Sequence, residues 1–289
     1  MRILLIIVGI CDIIRKNGKS DNMKTAGRKE LRPVRIKDGV YLISDCGFTS
    51  CYLVTGEKKA MLIDCGTGFF DFKGAVSKLT DLPLIVVATH AHTDHIGGMR
   101  QFPEIYVHKD DINIANRFMA STPGIKLFIS RNAFLKKQGV TAKDLLKKEY
   151  NTKIIPFDEG AAFDLGGKII TVKHTPGHST GSVALIDEKD KLIFSGDNVC
   201  DALWMQLPGG TSIEEWLPGA KWLYEMSAEY DVYWSHRTPR LTHEYIGQIV
   251  LWGEEILKKH KKNAFISKTA QYPKQRDGII YRTGKVFKR

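Results

Sequence analysis

The 289-residue chain is poor in cysteine: Cys11, Cys46, Cys51, Cys65 and Cys200 are odd in number and form no CxxC pair. A disulfide framework and a cysteine-type zinc knuckle are therefore excluded, and a reducing, cytoplasmic location is expected. Long apolar runs are also missing. Ile3 to Ile10, preceded by Arg2, is too short to span a bilayer. No small-x-small cleavage site follows it, and Ile10 stands before Cys11 where a lipoprotein signal needs a small residue. Residues 1–30 read as a leader or mobile extension, with Met23 a plausible later start. Export or anchoring through this stretch is the alternative. With 43% hydrophobic and 26% charged residues, and no low-complexity run, a disordered or fibrous class is excluded.

Acidic residues are scarce at the two ends. The net charge is +11, yet residues 258–289 hold eleven basic side chains and one acidic, and residues 1–30 hold seven and three. Residues 31–257 hold 25 basic and 28 acidic, so the body is slightly acidic. A nucleic-acid partner needs clustered cations near the site, and the body does not supply them. The domain is expected over residues 31–262, with a basic tail over 263–289 in which only Gly278–Tyr281 looks strand-like.

Within the body, Val40–Ser44, Ser50–Thr55 and Lys59–Asp64 are short β-prone runs joined by turns. A helix over Phe70–Leu79 and a strand over Leu84–Ala88 follow. Residues 109–150 look mainly helical, with Thr141-Ala-Lys-Asp144 as a capping box. Strand character returns at Ala161–Asp164, Lys168–Lys173, Ser182–Ile186, Leu192–Ser195 and Val232–Trp234. Ser212–Met226 suits a helix that Pro218-Gly219 should bend or break. Thr242–His260 suits a long helix ending in lysines. This order predicts one domain of two sheets packed face to face, with helices outside.

After the Leu84–Ala88 strand the chain reads Thr89-His90-Ala91-His92-Thr93-Asp94-His95-Ile96-Gly97-Gly98. Four potential ligands in six residues suit Zn²⁺ or another borderline first-row metal. Burying so many polar groups together without an ion is costly.

His90-x-His92-x-Asp94-His95-x-Gly97-Gly98 resembles the signature of the metallo-β-lactamase superfamily. Later elements follow in order: Thr175-Pro-Gly-His178-Ser-Thr-Gly181, Ser195-Gly196-Asp197, and His236 at the end of Asp231–His236. Ser235-His236 departs from the commoner Gly-His. Leu62-Ile63-Asp64-Cys65-Gly66 resembles the family's early element, and the likeness covers roughly residues 35–245. The resemblance implies an α+β fold, a four-layer αββα sandwich of two mixed sheets with helices outside. It also implies two divalent metal ions, zinc first and iron or manganese next. His90, His92 and His178 would hold one ion, Asp94, His95 and His236 the other, and Asp197 would bridge them. Two such ions share a water and lower its pKa toward about 7. Asp94 is then the candidate catalytic carboxylate, orienting the nucleophile or moving its proton. Asp64 is the candidate partner that fixes a histidine ring. His108, His174, His243 and His260 match no motif position and read as structural.

Within the family, Asp197 argues against antibiotic hydrolysis, and His92 excludes the oxygen-reducing diiron pattern. The expected activity is hydrolysis of an ester, thioester or lactone bond in a small metabolite. The alternative is a phosphodiesterase, nuclease or RNA-binding protein using the basic C-terminal tail. Residues 109–150 and Asp201–Gly210, with Trp204 and Met205, are expected to wall the pocket.

Overall fold

A computed structural model of the protein describes residues 31–289 except 46–47, 117–122, 124–125, 127–138, 148, 208, 237–239, 261–266, 275–276 and 289. The expected leader and much of the 109–150 stretch lie outside the described residues.

Short runs of alternating apolar residues pair into two large sheets. The first has seven strands in chain order: β1 (Val34–Lys37), β2 (Val40–Asp45), β3 (Thr49–Thr55), β4 (Ala60–Ile63), β5 (Leu84–Val87), β6 (Glu104–His108) and β7 (Lys153–Phe157). The second has six, formed by β8 (Ala162–Asp164), β9 (Ile169–His174), β10 (Val183–Asp187), β11 (Leu192–Phe194), β13 (Asp231–Tyr233) and β14 (Arg240–Leu241). Their order is β14-β13-β11-β10-β9-β8. Both sheets mix parallel and antiparallel neighbours.

Side-chain alternation explains why both faces are buried. On β3 and β4, Tyr52, Val54, Met61 and Ile63 point into the core between the sheets, where they meet Val183, Leu185, Leu192 and Phe194. Their neighbours Cys51, Leu53, Ala60 and Leu62 point the other way, into the layer holding Phe72, Ala75 and Val76 of the helix Phe72–Ser77. On the second sheet, Ala184, Ile193 and Val232 face outward to the helices Ile213–Met226 and His243–Lys259. The result is the expected αββα layering.

Three details depart from the sequence reading. The helix Ile213–Met226 runs on through Pro218. One lost backbone bond is offset by burial of Trp216, Leu217, Ala220 and Leu223 against the neighbouring helix. Strands β6 and β7 are additional, and Pro156 is tolerated because β7 is an edge strand. The expected basic tail also carries structure. Within 263–289, β15 (Thr269–Tyr272) and β16 (Gly278–Arg282) join β12 (Ala202–Trp204) in a third sheet. Ile279, Tyr281 and Val286 are buried among the residues that cover the outer helices. Alternate apolar residues anchor this segment, and its lysines and arginines obscure them in a charge count. No helix among the described residues is long and apolar enough to cross a membrane.

Candidate metal centre

The ends of several strands open on one edge of the sandwich. Strands β4 and β5 run parallel, and so do β11 and β13, so each pair delivers its following loop to one end. The β9–β10 hairpin places its connecting loop, 175–182, at the same end as the loop after β11. His90 and His92 follow β5, while Asp94 and His95 lie on the short helix Thr93–Ile96. His178 lies in the 175–182 loop, Asp197 follows β11, and His236 follows β13.

Glycine permits the close approach. A Cβ on Gly98 would fall 2.0 Å from the Cys65 carbonyl oxygen, and one on Gly97 would fall 2.4 Å from that of Thr67. Gly196 adopts a positive φ of 56°, and a side chain there would strike Thr89.

All seven expected side chains come together. His90, His92 and His178 form one group able to hold a metal ion, and Asp94, His95 and His236 form another. His92 Nδ1 and His178 Nε2 are 2.8 Å apart. Asp197 Oδ2 lies 3.0 Å from His236 Nε2, 3.5 Å from His95 Nε2 and 3.7 Å from His178 Nε2, and so reaches both groups. Asp94 Oδ2 is 3.6 Å from His236 Nε2 and 3.9 Å from His95 Nε2.

The donor set fits divalent metal. His90 Nε2, His95 Nε2 and Asp197 Oδ1 are buried without a hydrogen-bond partner, a costly state that bound cations would relieve. The imidazole and carboxylate donors match a borderline first-row ion.

The surrounding bonds hold the rings in place. Asp64, buried at a positive φ of 60°, lies 2.8 Å from His95 Nδ1. It also accepts from Thr89 N at 2.7 Å, from the Thr89 hydroxyl, and from Ser235 Oγ at 3.3 Å. Thr89 Oγ1 in turn lies 3.2 Å from His90 Nδ1. His236 Nδ1 donates to the Phe48 carbonyl at 2.5 Å. Asp64 therefore sits where the sequence expects it and touches more of the cluster than one ring.

Asp111 carries no motif signal and was missed by sequence reasoning. Its buried carboxylate accepts from Ala91 N at 2.9 Å, Ser179 Oγ at 2.7 Å and Gly181 N at 2.7 Å. It ties the loop of His90 and His92 to the loop of His178.

Charge distributes unevenly over the cluster. Burial, and then the neighbouring imidazole of His92, lowers His178 to about 3. Burial likewise drives His90 well below its usual value, with His95 adding to the effect. Burial alone would also lower His236, but Asp197 and then Asp94 outweigh it and raise the ring to about 9. His95 is raised too, by Asp64 first and then Asp197, against its own burial. Cys65 is a shielded thiol whose Sγ contacts the His95 carbonyl at 3.3 Å, and burial pushes its pKa up.

Beside the expected wall Asp201–Gly210, Thr211 N donates to the Gly177 carbonyl at 2.8 Å. A Cβ on Gly209 would fall 2.4 Å from Ile114 Cδ1 and 3.9 Å from Ser179 Cβ, next to His178. Met205 is buried, whereas Trp204 is half exposed. A shallow cavity of about 370 Å³ opens between Met99, Ile112, Asn116, Thr152 and Ile154.

A family profile described as the metallo-beta-lactamase superfamily matches residues 44–236. The chain is 29% identical over 198 residues to the acyl-coenzyme A thioesterase MBLAC2 of Homo sapiens, covering 63% of this chain and 67% of that one. It superposes with a TM-score of 0.52 on an archaeal metallo-beta-lactamase superfamily protein from Sulfolobus tokodaii, at 19% identity, over 80% of this chain and 91% of that one. A further protein, solved in a di-iron-bound form, gives a TM-score of 0.50 at 27% identity, over 69% of this chain and 92% of the other. With its profile match, strand order and histidine–aspartate cluster, the chain belongs to the metallo-β-lactamase superfamily and is a hydrolase of that superfamily.

Proposed function

We propose that the protein is a dinuclear zinc hydrolase that cleaves the thioester bond of a small acyl-carrying metabolite, with acyl-coenzyme A the first candidate. The observation that carries the metal reading is the convergence of seven donors in two groups that share Asp197. The thioester is favoured over an ester or lactone by the likeness to the acyl-coenzyme A thioesterase.

In this reading His90, His92 and His178 would hold one ion and Asp94, His95 and His236 the other, with Asp197 within reach of both groups. Bound zinc supplies an activated water and polarises the acyl carbonyl. The protein's own part is to hold these groups rigid. Asp64 fixes His95, and through Thr89 it fixes His90; Asp111 ties the two ligand loops together. Asp94 and His236 are the most open members, with side chains 15% and 16% exposed, so substrate arrives on their side. The Asp94 carboxylate takes the proton of the attacking water and passes it to the departing sulfur. A thiol has an ordinary pKa near 8.5, so its thiolate leaves readily and one carboxylate suffices as proton carrier.

A panel of acyl-coenzyme A thioesters, lactones, phosphodiesters and β-lactams, assayed on zinc-loaded protein, tests this. Thioesters are expected to give the highest kcat/KM. A lactone or phosphodiester ranking first would overturn the substrate reading. Protein that takes up less than one equivalent of metal, and stays inactive with Zn²⁺, Mn²⁺ or Fe²⁺, would overturn the metal reading.

A further inference from the structure

A second group of imidazoles and carboxylates lies outside the seven-residue cluster, where the ends of β6, β7 and β9 converge. His108 closes β6 and His174 closes β9. Their rings stack with centroids 4.2 Å apart and planes 20° apart. Asp110 Oδ2 faces both, 3.8 Å from His108 Nδ1 and 3.9 Å from His174 Nε2. One donor atom from each residue lies within 4.8 Å of the other two.

His108 is 1% exposed, and its other ring nitrogen, Nε2, is buried without a hydrogen-bond partner. That nitrogen points toward Asp158 Oδ1, 3.5 Å away. Asp158 is itself held by Lys109 and by the Glu159 amide at 2.8 Å. The pattern repeats that of His95, whose one nitrogen faces the donor cluster while the other faces the carboxylate of Asp64. Metal-bound histidines are commonly set in this way, since a carboxylate behind the ring fixes its orientation and strengthens it as a donor. Burial, and then the neighbouring His174, hold His108 below its usual pKa. Its Nδ1 accepts from the Asp110 amide at 3.4 Å, a weak bond that an ion at that nitrogen displaces.

We propose that His108, Asp110 and His174 bind a further divalent transition-metal ion, of the zinc, nickel or copper type, with Asp158 bracing His108 from behind. Two imidazoles and one carboxylate select such ions over Mg²⁺ or Ca²⁺, which prefer all-oxygen shells. Water completes the shell, because Asp110 is open to solvent. His174 Nε2 now donates to the Thr180 carbonyl at 2.8 Å, and an ion taken up at that nitrogen displaces this bond. Thr180 lies two residues after His178 in the same loop.

Equilibrium dialysis of the full chain against Zn²⁺, followed by metal analysis, tests the site. The wild type is expected to bind one more equivalent than either His108→Gln or His174→Gln, while those variants keep thioester hydrolysis and the remaining metal. Asp110→Asn is solvent-exposed and tests the site even if a buried substitution fails to fold; it should weaken the extra equivalent at least tenfold. The proposal is overturned if wild type and Asp110→Asn bind the same amount with the same affinity. It is equally overturned if folded His108→Gln, checked by circular dichroism, retains the extra equivalent.

Discussion

The two halves of the metal centre are built on opposite electrostatic terms. In the three-histidine half, burial keeps His90 and His178 neutral. The Asp94, His95 and His236 half is dominated by carboxylates, and Asp64, Asp94 and Asp197 favour its imidazolium forms. The difference implies an order of loading. The first half is ready to receive an ion, and the second must give up protons before it can.

The most direct way to break this comparison is His92→Ala, which removes the three-histidine half. One metal equivalent and activity should be lost together, with kcat/KM falling by more than about 10³-fold, because supporting partners alone commonly contribute 10–100-fold. Unchanged turnover with metal lost would sink the assignment.

A pH series sharpens the contrast. His236 is raised to about 9, so below that pH it is protonated in the metal-free fold, and binding an ion there releases a proton. Affinity at the Asp94 half should therefore fall about tenfold per pH unit below 9 for each proton released. His178, lowered to about 3, has no proton to release over the same range. In the His108→Gln variant, which leaves only the seven-residue centre, metal content measured at pH 8.5 and pH 6 should drop from two equivalents toward one. Parallel loss of both equivalents would contradict the unequal halves.

Asp64→Asn removes the carboxylate behind His95, and metal affinity is expected to weaken by about 10–100-fold, mainly for one equivalent. A uniform loss across both sites in a titration would show instead that Asp64 serves the whole cluster through Thr89. Asp111→Asn should have the smallest effect on metal, since Asp111 contacts the loops and no expected ligand side chain. It should lower stability in denaturant by about 1–3 kcal/mol, the usual range for a disrupted buried polar group. An unchanged unfolding midpoint would refute its role as a tie between the loops.

His90, His92, Asp94 and His95 were legible because they form, after a strand, a dense donor motif whose composition makes little sense without a cation. His178, Asp197 and His236 were legible only through resemblance to the family's later motifs. The two main sheets were legible for a similar reason, since Tyr52, Val54, Met61 and Ile63 alternate with Cys51, Leu53, Ala60 and Leu62. Asp111 was not legible. It acts on Ala91 and Gly181, 20 and 70 residues away, and no local pattern encodes such a pairing. The stacked His108 and His174 escaped for the same reason, as they sit on different sheets and meet only when the sandwich closes. Strand β16 was legible as the strand-like run Gly278–Tyr281, whereas β15 was hidden among polar and basic residues that dominate the composition of the tail.

The sequence by itself determined the layer order, the dense His90–His95 donor motif and the concentration of positive charge at the chain ends, and its resemblance to the family implied the remaining donors and a bridging Asp197. The first three depend on local periodicity and on residues close together in the chain. Tertiary structure alone decided the distances from Asp197 to each half, that burial and carboxylates set the histidines of the two halves apart, and that the basic C-terminal segment folds back as a third sheet. Each of these depends on distances between residues far apart in the chain, and on the water excluded when they meet. Electrostatic energies follow those distances and that exclusion, which the order of residues does not contain.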